Sequence, residues 1–102
     1  MSFIVVYITH SDLEAAEAVV NHLLEKRLIA CANFFPIRTA YWWEDKIERG
    51  NEVVTIVKTT EENWEALQEE VEAIHPYEIP CITKFAAEAN PAFEDWVQGE
   101  VA

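Results

Sequence analysis

The stretches 29–35 and 37–43 are dominated by apolar and aromatic residues, are separated only by Pro36, and carry two adjacent ring pairs, Phe34-Phe35 and Trp42-Trp43. In an extended chain successive side chains point to opposite faces, so each pair sets one ring on each side of any sheet built with it. The segment therefore predicts one long strand, kinked or bulged at Pro36, whose sheet is apolar on both faces. Proline donates no ladder hydrogen bond, which places this strand at an edge.

The rest of the chain supplies the partners. Residues 3–8 form a continuous run rich in β-branched residues, as expected of a central strand. Ser11 with Glu14 reads as a capping box for a helix running to about Arg27, with Leu13, Ala16, Val20, Leu23 and Leu24 at helical spacing. Turn chemistry occurs at Glu44-Asp45-Lys46 and again at Arg49-Gly50-Asn51, with a hairpin tip between them and a return strand over 53–58. Thr59 with Glu62 reads as a second capping box. Trp64, Leu67, Val71 and Ile74 then mark one face of a helix that stops at His75-Pro76. A fourth strand is expected over 79–85. Asn90-Pro91 opens a short last helix carrying Phe93, Trp96 and Val97 to Gly99.

The order βαββαβ plus a terminal helix predicts an α+β, ferredoxin-like sandwich of one domain over 1–102, an antiparallel sheet with its two long helices on one face. The other face then lacks a cover. Each exposed ring leaves ~150–250 Å² unburied, several kcal/mol at ~25 cal/mol per Å², so the chain is expected to be an obligate oligomer. The same topology sends Cys31 and Cys81 to opposite sheet edges, which excludes an intrachain disulfide.

Seven Lys and Arg against nineteen Asp and Glu give a formal charge of −12. Such a chain repels nucleic acid and anionic membranes, so neither is expected as a partner. The run 3–8 is too short to span a bilayer and has no secretory-signal flanks, and two free cysteines make no disulfide framework; a cytoplasmic location is expected. With only Gly50 and Gly99 there is no nucleotide-binding glycine pattern. Both thiols sit in apolar strands, a poor setting for a nucleophile, so no enzyme activity is expected and no cofactor is required.

Four stretches together resemble the CutA family of divalent-cation tolerance proteins: Leu23-Leu24-Glu25-Lys26-Arg27-Leu28-Ile29-Ala30-Cys31, Ala40-Tyr41-Trp42-Trp43-Glu44 with Lys46-Ile47-Glu48, Val57-Lys58-Thr59-Thr60, and His75-Pro76-Tyr77-Glu78-Ile79-Pro80. The resemblance implies a tight homotrimer associated with tolerance of copper (Cu2+) and other divalent metal ions. Copper-associated relatives are similar to one another in a Cys near the end of the first strand and a His doublet before Pro-Tyr. The matching positions here are Ile8 and Ile74-His75.

His75 is thus the first candidate metal ligand. His10 is the second, because the ends of the first strand and second helix are expected to lie close. The leading expectation is a non-enzymatic homotrimer that binds divalent cations and serves metal homeostasis. The alternative is a trimeric regulatory or scaffolding protein holding a small anion or metabolite at clefts between subunits, with Tyr41, Lys58, Tyr77 and Glu78 as the cleft candidates. Lys58 ends an apolar strand in an acidic chain, where it would meet a ligand's carboxylate or phosphate, or a Glu of a neighbouring subunit.

Overall fold

The protein is described here by a computed structural model covering residues 3–102. Its elements are β1 (Phe3–His10), α1 (Leu13–Glu25), β2 (Cys31–Trp43), β3 (Lys46–Thr60), a 3-10 turn (Glu61–Asn63), α2 (Trp64–Ile74), β4 (Ile82–Ala87) and α3 (Pro91–Glu100). The strands form one antiparallel sheet in the order β2-β3-β1-β4. The expected α+β ferredoxin-like architecture is what the chain adopts, with Cys31 at the start of one edge strand and Cys81 just before the other.

Alternation along β1 divides the sheet. Ile4, Val6 and Ile8 point to one face and are fully buried against Val19, Val20 and Leu23 of α1 and Leu67 and Val71 of α2. The odd-numbered side chains point to the other face, where no long helix lies. There α3 covers only one corner, packing Phe93 edge-on against Phe3 with ring centroids 5.9 Å apart. Phe35 and Phe85 on that face remain 47% and 53% exposed.

Four local expectations are corrected. The cap of α1 is Asp12, not Ser11: its carboxylate accepts from the Ala15 N–H at 2.8 Å. Thr59 caps nothing, because its position in β3 turns the hydroxyl into the core, where it donates to the Leu28 carbonyl at 2.7 Å. β2 keeps an unbroken register with β3 through Pro36, from Cys31↔Lys58 to Trp43↔Lys46, so there is no bulge. An outward-facing proline nitrogen on an edge strand breaks no ladder bond. The fourth strand starts at Ile82 rather than 79, after the His75–Pro80 connector.

The hairpin tip is the two-residue turn Glu44-Asp45, with φ of 50° and 64°. Those left-handed values match the twist of a tight hairpin, although neither residue is Gly or Asn. Gly50 lies instead within β3, opposite Thr39. Because β1 reaches only to Val53 of β3, the ribbon beyond it projects as a two-stranded arm. The chain measures 44 × 25 × 21 Å.

α1 ends in a Schellman arrangement. The Leu28 N–H reaches the Leu23 carbonyl and the Arg27 N–H the Leu24 carbonyl, both at 3.0 Å, with Arg27 left-handed at φ 59°. The Arg27 guanidinium also pairs with Glu100 at 3.0 Å, tying α3 to this corner.

Candidate functional site

Pro76 excludes its predecessor from the helical region, so His75 leaves α2 with φ −72° and ψ 132° and turns its ring toward the end of β1. Its Nε2 lies 2.8 Å from the Thr9 carbonyl oxygen, which can only accept, so that nitrogen carries the proton. Nδ1 then accepts the Tyr77 N–H at 3.2 Å. Both ring nitrogens are engaged.

His10 lies beside it, with ring centroids 5.4 Å apart and planes 23° from parallel. Its Nε2 meets the Thr55 hydroxyl at 2.8 Å, and its buried Nδ1 has no hydrogen-bond partner among the described residues. Burial, and secondarily the charge His75 would carry, push the His10 pKa down to about 4. His10 is thus an uncharged base at neutral pH.

Tyr77 closes the cluster. Its ring stands edge-on to His75 at 4.7 Å, and its hydroxyl donates to the Glu52 carboxylate at 2.5 Å. Burial first, then the Glu52 hydrogen bond and charge, hold this phenol well above its ordinary pKa. The connector is thereby fastened to the base of the projecting arm.

The sequence candidates fall into two groups. His10, His75 and Tyr77 meet at one end of the sheet; Tyr41 on the arm is close enough to act on the Tyr77 phenol, and Glu78 is exposed on the same connector. Lys58 stands apart, six residues along β3 from Glu52, roughly 20 Å at strand rise. Its ammonium contacts the Asn33 amide oxygen across the β2–β3 ladder. The partners Thr55 and Glu52 escaped sequence reasoning. A hydroxyl within the apolar run 53–58 was a signal for Thr55; nothing local marked Glu52.

Copper and zinc are held by three or four N, S or O donors. The imidazole pair offers one free nitrogen, and among the described residues no group of three or more His, Cys, Asp or Glu is placed to hold a metal ion. The Cys31 thiol has its pKa raised by burial, with Lys58 pulling the other way.

Fold and site together define a ferredoxin-like α+β subunit with one open sheet face, an extended aromatic arm and a buried imidazole pair at the arm's base. Comparison with known proteins gives this frame a family. The family model for CutA1 divalent ion tolerance protein matches residues 4–100. The divalent-cation tolerance protein CutA of Pyrococcus horikoshii is 46% identical over 95 residues, spanning 92% of this chain and 93% of that protein. Its counterpart in Thermotoga maritima is 47% identical over 99 residues, spanning 96% and 98%. The crystal structure of CutA1 from Oryza sativa superposes with a TM-score of 0.96 at 32% identity, covering 100% of this chain and 95% of that one. The chain belongs to the CutA1 divalent ion tolerance protein family.

Proposed function

We propose that this chain is the subunit of a non-enzymatic, cytoplasmic homotrimer that binds copper and other divalent cations and serves metal homeostasis. The observation that carries the assembly is the open sheet face. Phe35 and Phe85 sit half-exposed on it, and the arm adds Tyr41 at 50% and Trp42 at 71% exposure, large aromatic surfaces of the kind that mark protein–protein contacts. The count of three is what the sequence resemblance implies. Sedimentation equilibrium tests it: a mass three times the 11.7 kDa chain supports the trimer, and folded monomers at micromolar concentration refute it.

For cation capture the net charge of the chain favours diffuse attraction by surface carboxylates over coordination by the imidazole pair. His75 would have to surrender a hydrogen bond to coordinate, and His10 presents Nδ1 alone. Nineteen acidic side chains surround few cations, and metal held this way is weak and screened by salt. Calorimetric titration of copper and zinc into metal-free protein, beside His75→Ala, reads the difference. Salt-sensitive binding that survives the substitution supports the carboxylate reading. Micromolar binding abolished by it moves the site to the His10–His75 pair.

A further inference from the structure

Lys26, Arg27 and Lys84 each meet a carboxylate, those of Glu70, Glu100 and Glu61, and Lys58 contacts Asn33. Among the described residues Arg38 and Arg49 pair with none, although acidic side chains outnumber basic ones nineteen to seven.

Their placement is specific. Arg38 stands opposite Asn51 and Arg49 opposite Ala40, so both arginines emerge from the same face of the β2–β3 arm as diagonal neighbours. Diagonal positions in an antiparallel pair lie roughly 7–8 Å apart, within reach of one small ligand for two long side chains. Both line a concavity of about 420 Å³ shared with the Asn51 amide. The carboxylates of the arm keep away from it: Glu48 and Glu52 alternate to the opposite face, and Glu44 and Asp45 form the turn. Lys46, also unpaired among the described residues, stands opposite Trp43 on that other face.

A second concavity, of about 400 Å³, shares Arg38 and Asn51 but is lined by Asp12 and Glu52. Glu52 lies along its wall but turns its carboxylate away to Tyr77, so the Asp12 carboxylate is what disfavours an anion there, which leaves the Arg49 side. Two like charges held side by side with no counter-ion repel each other, and an oxyanion bridging them removes that repulsion while accepting forked, charge-assisted hydrogen bonds.

We propose that Arg38 and Arg49, with the Asn51 amide, form a binding site for a small multivalent oxyanion, either a polycarboxylate or a phosphate. The site is distinct from the imidazole cluster and independent of the cation reading. It sits on the arm, so what occupies it acts on the element that also carries Tyr41 and Trp42.

The test is calorimetric titration of the assembled protein with citrate and, separately, with inorganic phosphate at low salt, using wild type, Arg38→Gln, Arg49→Gln, Arg38→Lys and the distant control Lys84→Gln. Masses are checked by sedimentation. Expected is one anion per chain, weakened about tenfold or more by either Gln variant and less by Arg38→Lys, with Lys84→Gln unchanged. Preference for citrate or phosphate identifies the oxyanion class. Absence of binding of either probe at millimolar concentration overturns the proposal. So does binding that survives both Gln variants while the assembly dissociates, because the arginines then serve as ion-pair partners for a neighbouring copy.

Discussion

His10 makes the fold acid-sensitive in a definable window. In the unfolded chain its imidazole titrates near its ordinary value of 6.5, whereas in the folded chain burial and the neighbouring His75 hold it at about 4. Between those values the unfolded chain binds the extra proton, so stability is fully present above about pH 6.5 and is lost progressively as pH falls to about 4. The separation corresponds to roughly 3 kcal/mol per chain, a large share of the stability of a small domain. Near-complete burial, at 1% exposure, leaves solvent little room to screen it. The perturbation is His10→Phe, which keeps a ring stacked on His75 and removes the titration. It leaves the Thr55 hydroxyl without its nitrogen partner, a constant penalty of about 1 kcal/mol. Equilibrium urea unfolding is followed by tryptophan fluorescence at fixed protein concentration, at about pH 7.5 and about pH 4.5. The acidic groups titrate alike in both proteins, so the difference between the two pH slopes isolates His10. The wild type should lose roughly 2.5 kcal/mol more than the variant over this interval. Equal losses would refute the assignment of a buried, neutral His10.

Asp12→Ala should lower stability by about 1 kcal/mol in thermal or urea unfolding while Ser11→Ala changes little, because only Asp12 caps α1; the reverse ranking would restore Ser11 as the cap. Replacing Glu44-Asp45 by Asn-Gly should stabilise the arm by about 1 kcal/mol, since both positions have left-handed φ that side chains other than Gly and Asn adopt poorly. A lowered unfolding midpoint would mean that the two carboxylates make contacts outweighing the backbone relief.

The architecture was legible because periodicity and burial agree element by element. Ile4, Val6 and Ile8 alternate, Leu67 and Val71 recur at helical spacing, and each set lands in one core. Misread details were those in which a polar side chain had rival partners. Thr59 looks like a helix cap in sequence, but its position opposite Ile4 directs the hydroxyl inward to Leu28. The glycine at position 50 is the stronger turn signal, yet the chain turns at Glu44-Asp45, since only that choice pairs Trp42 with Ile47 across the arm. At the candidate site the meeting of His10 with His75 was readable from topology. What each nitrogen does was not, because Thr9 contributes a backbone carbonyl and Thr55 lies 45 residues away from His10 in sequence.

The strand order carries a consequence for the chain as it is made. β1 leaves the ribosome before β2, β3 and β4, yet its two neighbours in the sheet are Val53–Thr60 of β3 and Ile82–Ala87 of β4. Vectorial synthesis therefore presents the apolar segment Phe3–Ile8 long before any strand exists to flank it, while the β2–β3 ribbon can zip up as soon as it emerges. The last strand completed seals the first one begun, and until β4 arrives the centre of the finished sheet is an unpaired edge.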